Sequence, residues 1–190
     1  SLLQKEGLMP GELPEIWNFE HSDVVKNIHQ SYFEAGSDIV LANTFGANPI
    51  KFHCEEYTLK EVIKKAVSNV KEAAEKGIHD KREYYVALDV GPTGKLLKPL
   101  GDLSFEDTYQ AYKEVMLYGA EAGVDLIHIE TMSDTYDALT QCDMSPTLYG
   151  LMESKVNYNN PTPVKIEDLP ENFRSYLFDF DYPLDNTYKE

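Results

Sequence analysis

Three short apolar runs in this 190-residue sequence each end in polar side chains that could do chemistry. The first run ends in Asn43 and Thr44, the second in Asp89 and the third in Glu130. A carboxylate at the end of a buried strand suits an ammonium group, so we predict that Glu130 contacts the amine of a small ligand, the alternative being a structural salt bridge. Asn43 and Thr44 can donate and accept hydrogen bonds toward the same pocket, or cap the following loop. Asp89 could orient a pocket group or cap the turn after it, and its residue type leaves both interpretations open.

The loops after the first two runs contain residues that are typical of tight turns. Glycine and proline shape a chain reversal and carry no reactive group. We therefore expect these loops to border the pocket without taking part in chemistry. Their residues are Phe45, Gly46, Gly91, Pro92 and Thr93.

The histidines and cysteines do not form a recognisable reactive pattern. His128 lies within the third apolar run, and we predict that it is packed in the core rather than acting as a base. The segment 53–56 contains His, Cys and two Glu, but no second ligand pair follows at the spacing of a metal site. Cys54 and Cys142 do not make a disulfide framework. We predict no metal site and assign no catalytic residue in this chain.

A repeat shows which elements must position these side chains. Residues 35–44 read AGSDIVLANT and residues 122–131 read AGVDLIHIET. In each copy a helix is predicted to end at Ala-Gly, because glycine adopts the left-handed cap without a Cβ penalty. The apolar residues that follow are typical of a buried parallel strand, and a third such run covers residues 84–89.

Helical patterns separate these strands. Ser22 is predicted to cap a helix that buries Val25, Ile28 and Tyr32. Two later helices begin with capping pairs three residues apart, Thr58 with Glu61 and Ser104 with Asp107. Their predicted inward residues are Ile63, Ala66, Val67, Val70 and Ala74 in the first, closed by Gly77, and Tyr112, Val115, Met116 and Gly119 in the second.

Strands that alternate with helices predict an α/β fold with a parallel sheet. An open doubly wound sheet and a closed βα-barrel both fit this order. No glycine-rich dinucleotide motif follows any of the three strands, which disfavours the open sheet. In a barrel, chemistry collects at the carboxyl ends of strands, where the polar residues lie here.

The composition changes near residues 139–146. Five prolines interrupt the remainder, and residues 173–182 are aromatic and acidic. We predict a domain over residues 1–138 and an irregular, unrelated or divergent tail over residues 139–190.

Bulk properties exclude some classes of partner. The net charge of −16 disfavours nucleic acid and anionic membranes. No apolar run is long enough to cross a bilayer, and no leader is visible. We expect a cytoplasmic protein, and since the first residue is Ser1 rather than Met, a trimmed or incomplete N-terminus.

Three motifs in register resemble the homocysteine S-methyltransferase family. They are residues 43–48 (NTFGAN), 91–94 (GPTG) and 129–134 (IETMSD), and segment 11–18 also resembles the stretch after the family's first strand. The resemblance covers about residues 1–138 and is strongest to the homocysteine-binding module of cobalamin-dependent methionine synthase.

The resemblance implies a fold and a reaction. The family is a (βα)8 barrel, of which this chain would hold about strands two to four with their helices. It binds zinc through three cysteines, and zinc deprotonates the homocysteine thiol so that the sulfur accepts a methyl group and methionine forms. Methylcobalamin is the implied donor, carried with folate by other modules, and the family's matching glutamate implies that Glu130 binds the amino group of homocysteine.

The sequence also departs from the family. The Asp-Gly-x-x-Gly stretch of the first strand is absent before Leu3-Gln4, and no Cys-Cys pair is present. Two hypotheses follow: a homocysteine methyltransferase represented here in truncated form, or a catalytically inactive fragment or fusion product without the zinc site. An open-sheet binding protein is a third, less favoured alternative.

Overall fold

The computed structural model describes residues 2–80 and 82–132. Its sheet is parallel and has the order β1-β2-β3, formed by β1 Ile39–Leu41, β2 Tyr85–Val90 and β3 Leu126–Ile129. The three strands follow one another in the chain and are neighbours in the sheet. The α/β class and the parallel sheet predicted from the sequence are therefore confirmed for the described residues, and they are consistent with part of a βα-barrel.

Helices precede and connect the strands. They are α1 Leu2–Lys5, a 3-10 turn at Pro14–Ile16, α2 Trp17–Glu20, α3 Ser22–Glu34, α4 Leu59–Gly77 and α5 Phe105–Ala122. None of these helices is long and apolar enough to cross a bilayer.

The ends of the long helices follow the local sequence in most cases. Thr58 accepts a hydrogen bond from the Glu61 N–H, and the Glu61 side chain accepts one from the Thr58 N–H, which is the predicted capping box of α4. Ser104 caps α5 by accepting from the Asp107 N–H. Gly36 and Gly123 have positive φ angles of 100° and 79°, as the repeat predicted.

One predicted helix cap is wrong. Ser22 is the first residue of α3, and its hydroxyl donates to Asn69 Oδ1 at 3.0 Å instead of accepting from its own helix. A partner on α4, 47 residues away in sequence, has replaced the local capping bond.

The buried face of α3 also differs from the prediction. Val25, His29 and Phe33 are buried, whereas Tyr32 is 46% exposed and Ile28 lies at the edge of a cleft. Val25 is buried as predicted, but the other buried residues of α3 are His29 and Phe33, which continue from Val25 at a spacing of four.

The core lies between the sheet and the long helices. Val86, Leu88 and Val90 of β2 pack in one apolar cluster with all the inward residues predicted for α4 and most of those predicted for α5. The opposite face of the sheet is more open, since Ile39 and Tyr85 are both exposed there. Because helices cover one face of the sheet, polar side chains at the strand ends have room to meet on the open face.

Candidate binding site at the carboxyl ends of the strands

The register of the sheet brings the predicted carboxylates together. Asp89 of β2 is paired with His128 of β3. Residues in register on parallel strands point to the same face, and Glu130 lies two residues beyond His128, on that face as well. One ligand atom from each of these three side chains lies within 4.8 Å of the others.

His128 is not a packed core residue. Its side chain is 46% exposed, and its Nε2 lies 3.5 Å from Glu130 Oε2, whose side chain is 39% exposed. The predicted burial of His128 is therefore wrong. Alternation along β3 places this side chain on the face away from the helices, while Ile127 packs against the core cluster.

Asp89 is the buried member of the group, with 8% of its surface exposed. Its Oδ1 atom is buried and has no hydrogen-bond partner within residues 2–80 and 82–132. Burial, reinforced by the negative charge of Glu130, raises the pKa of Asp89 from 3.8 to about 7. This carboxyl group is therefore poised to gain from any cation that comes within reach.

Thr44 holds the end of β1 against the end of β2. Its buried hydroxyl donates to the Asp89 carbonyl at 2.8 Å and accepts from the Asp89 N–H at 3.1 Å. Both bonds are made to backbone atoms, so they fix the strand end that carries the Asp89 carboxylate. The Thr44 side chain is thus engaged within the protein.

Asn43 joins the same strand end to the N-terminal segment. Its Nδ2 donates to the Pro14 carbonyl at 2.7 Å, and its own carbonyl accepts from Asn18 Nδ2 at 2.9 Å. Asn43 also lines a cleft together with Asp89 and Glu130. The structure therefore places it at the site, although its amide nitrogen is already bound.

Two buried residues near the site were missed by sequence reasoning. Glu15 accepts a hydrogen bond from the Gly46 N–H at 2.6 Å, and Asn18 is fully buried beside it. A buried acid in a Pro-Glu turn has no periodic signal, so only the tertiary contact with the loop after β1 reveals it.

The two turn loops pack against each other. The Gly91 N–H donates to the Phe45 carbonyl at 3.1 Å, and a Cβ atom on Gly91 would lie 2.5 Å from that oxygen. Thr93 is buried, and its hydroxyl bonds to the backbone of Lys95. Pro92 lies between Gly91 and Thr93, and its carbonyl accepts a hydrogen bond from Asn48 Nδ2 at 3.4 Å. The close approach of the two backbones leaves no room for a side chain at position 91.

A cleft of about 640 Å³ opens beside the carboxylates. It is lined by apolar residues of α1, α3 and β1, and by Asn43, Asp89 and Glu130. His29 also lines it and is buried, and none of the described residues bonds to its Nε2. Burial lowers the pKa of His29 from 6.5 to about 4, so this imidazole is neutral at pH 7. The cleft is therefore largely apolar and is acidic at the end that Asp89 and Glu130 line.

The three-thiolate zinc site that the family resemblance implies does not fit the residues present. The sequence has two cysteines. Cys54 lines a different cleft, with His53 and Glu55, and Cys142 lies outside the described residues. These 190 residues cannot supply three thiolates.

The profile of the homocysteine S-methyltransferase family matches residues 2–149. That segment extends past the predicted domain boundary at residues 138–139, which itself stays a prediction, as does the structure of the predicted tail outside the described residues.

Two curated relatives carry the same similarity. The chain is 33% identical over 122 residues to methionine synthase of Mycobacterium tuberculosis and 30% identical over 122 residues to methionine synthase of Mycobacterium leprae. Each match covers 63% of this chain and 10% of the relative. The chain thus spans about a tenth of the length of the curated relatives it matches.

Solved structures show the same fold. The metallated form of the homocysteine methyltransferase MmuM from Escherichia coli superposes with a TM-score of 0.65 at 20% identity, over 79% of this chain and 57% of that one. Its oxidised form gives a TM-score of 0.65 at 19% identity, over 76% and 55% of the two chains.

Proposed function

Because the chain belongs to the homocysteine S-methyltransferase family, we propose that it supplies the part of such an enzyme that recognises the amino group of homocysteine. The complete enzyme would transfer a methyl group to the homocysteine sulfur and form methionine. The chain's own contribution is binding and orientation of the amino acid.

One observation carries this proposal: the carboxylates of Asp89 and Glu130 meet at the carboxyl edge of the sheet, beside an open cleft. An ammonium group has three donors and a positive charge, and two carboxylates can accept from it together. In the part of the chain that the structure describes, Asp89 Oδ1 is buried without a hydrogen-bond partner, so an ammonium donor would satisfy an atom that is otherwise costly to bury.

The other predicted site residues have supporting roles in this proposal. Thr44 holds the Asp89 backbone, and Asn43 ties the end of β1 to the N-terminal segment. The loops of Phe45 and Gly91 bond to each other, and neither residue lines the cleft beside the carboxylates. The apolar part of the cleft suits the methylene groups of the amino acid.

We further propose that the sheet is the second to fourth strands of a barrel. The open face, with Ile39 and Tyr85 exposed, would then face the barrel interior. Side chains alternate in direction along β2, and Leu88 packs in the cluster under the helices while its neighbour Asp89 faces away, which supports this orientation.

The methyl donor and the thiol-activating metal come from elsewhere in this proposal. The residues present do not build a three-cysteine zinc site, so we assign no step of methyl transfer to a metal held by thiolates of this chain. Methylcobalamin as donor, and cobalamin and folate modules as partners, remain proposals based on the similarity to methionine synthases.

The test is calorimetric titration of homocysteine into the 190-residue chain, kept metal-free with a chelator. Glu130→Gln keeps the shape and removes the charge. We expect the affinity to fall about 10- to 100-fold, since a hydrogen bond to a charged group contributes about 1.5–3 kcal/mol. Desamino-homocysteine, which lacks the ammonium group, should bind the wild-type chain weakly. Its affinity should be the same for Glu130→Gln as for wild type.

The matched control is Glu55→Gln, an exposed carboxylate that lines the other cleft. It should leave homocysteine affinity unchanged. Equal affinities of wild type and Glu130→Gln, or no homocysteine binding to the wild-type chain, would contradict the proposal.

A second candidate is a catalytically inactive fragment or fusion product. The observation that favours it is the cysteine count, because two cysteines cannot form the three-thiolate site. We expect no methionine formation from homocysteine by the 190-residue chain with methylcobalamin. Turnover by this chain alone would rule the inactive form out.

A further inference from the structure

The side chains at the carboxyl edge of the sheet form a donor set that ammonium binding does not fully use. Asp89 and Glu130 offer carboxylate oxygens, and His128 offers an imidazole nitrogen. His128 Nε2 and Glu130 Oε2 are 3.5 Å apart. Two ligands that each lie about 2.1 Å from one tetrahedral metal ion are about 3.4 Å apart, so this pair already has the spacing of co-ligands.

A second observation is independent of the clustering. Asp89 is 8% exposed, and its buried Oδ1 has no hydrogen-bond partner among the described residues. A buried carboxylate oxygen without a donor is costly, and a cation is the ligand that satisfies it most fully.

We propose that Asp89, His128 and Glu130 bind one divalent transition-metal ion, of which Zn²⁺ is the probe used below. Imidazole with two carboxylates suits a transition metal better than Mg²⁺ or Ca²⁺, which take oxygen ligands. His128 and Glu130 are half exposed, so the ion can reach them from solvent, while Asp89 is the buried ligand.

This site differs from the three-cysteine zinc site that family resemblance implies. It uses oxygen and nitrogen donors and involves no thiolate. It also shares two carboxylates with the proposed ammonium site. A bound cation would neutralise them, so the metal and the homocysteine ammonium group should exclude each other at this edge of the sheet.

The test is calorimetric titration of Zn²⁺ into the chelator-treated 190-residue chain without homocysteine. We expect one ion per chain. His128→Ala and Asp89→Asn should each weaken Zn²⁺ binding at least about tenfold. Loss of a residue that only supports a metal ligand already costs about 10- to 100-fold in affinity, and loss of a direct ligand costs no less. Far-UV circular dichroism identifies any variant that fails to fold. In the folded wild type, Co²⁺ should give a spectrum without a thiolate charge-transfer band.

The matched controls are His53→Ala and Cys54→Ser, which remove the donors of the other cleft. Both should leave Zn²⁺ affinity unchanged. No Zn²⁺ binding to the wild-type chain, undiminished affinity in folded His128→Ala, or loss of binding in Cys54→Ser would overturn the proposal, as would a thiolate band with Co²⁺.

The outcome is separable from that of the proposed function. Zn²⁺ binding is measured without homocysteine, and homocysteine binding is measured with a chelator. His128→Ala should abolish the effect of Zn²⁺ on homocysteine affinity, whereas Glu130→Gln should impair both ligands. Metal binding without homocysteine binding would refute the proposed function and leave the metal site standing.

Discussion

At the carboxyl end of β2, the backbone of Asp89 is held more firmly than its side chain. Thr44 bonds to the Asp89 N–H and carbonyl, while Oδ1 of the Asp89 carboxyl group has no hydrogen-bond partner in the described part of the chain. A fixed backbone with an unsatisfied acid is typical of a group that is positioned for an external ligand. Thr44 therefore belongs to the support of the site.

Removing the Thr44 hydroxyl should destabilise the protein. Thr44→Val leaves a buried N–H and carbonyl of Asp89 without these bonds, and we expect a loss of about 1–3 kcal/mol in the free energy of unfolding. Urea denaturation measures this change. Thr44→Ser keeps the hydroxyl and should retain most of the stability, so equal losses in both variants would argue against the hydrogen bonds as the cause.

His29 should make stability depend on pH. Its pKa is about 4 in the folded chain and 6.5 when unfolded, so between these values the unfolded state binds the extra proton. The contribution of neutral His29 to the free energy of unfolding is fully present above pH 6.5 and is lost as the pH falls toward 4. The full loss is on the order of 3 kcal/mol.

Urea denaturation at several pH values checks this window. Subtracting the profile of His29→Gln from that of wild type isolates the histidine from the carboxylates. His79→Gln is the matched control because His79 is exposed. A wild-type profile parallel to that of His29→Gln between pH 6.5 and 4 would show that His29 does not contribute.

Among the elements, the long helices show where local sequence is sufficient. Thr58 and Glu61 lie next to each other in the first turn of α4, and no distant partner competes for them. Ser22 of α3 has such a partner in Asn69. The capping rule therefore succeeded for α4 and failed for α3 for an identifiable reason.

The capping box of α4 can be tested directly. Thr58→Ala removes the side-chain acceptor of the Glu61 N–H and should lower the free energy of unfolding by about 1 kcal/mol. Thr58→Ser keeps the acceptor and serves as the control. Thermal denaturation of both variants measures the difference, and no loss in Thr58→Ala would mean that water replaces the cap without cost.

At the scale of the whole molecule, the sheet has one covered face and one open face. Helices cover the face of Val86 and Leu88, whereas Ile39 on the other face is 52% exposed. Within the described residues β1 and β3 are edge strands. Exposed apolar residues on an edge strand favour association between chains.

We therefore expect concentration-dependent self-association that Ile39→Lys reduces. A lysine on the edge strand opposes strand pairing between chains. Light scattering over a range of protein concentrations gives the mass. Leu100→Lys is the control, because Leu100 is 77% exposed but lies in the loop between β2 and α5. Equal reductions of self-association by both variants would indicate that any exposed apolar residue contributes, and that pairing at the edge strand is not the cause.

The order of elements, the helix ends at Gly36 and Gly123 and the inward stripe of α4 were all predictable from the sequence. Each depends on contacts within a few residues or on a regular period. The family was also predictable, because the three motifs stand at strand ends in the right order.

Only the tertiary structure decided how the site is assembled. The register of β2 and β3 set His128 beside Asp89 and turned it away from the core, which contradicts its apolar surroundings in the sequence. A hydrogen bond to Asn69 of α4 took Ser22 from its predicted cap. The sequence by itself determined which strand ends carry carboxylates. Pairing between strands brought them within 4.8 Å and left Asp89 Oδ1 without a hydrogen-bond partner among the described residues, because both depend on contacts between residues far apart in the chain.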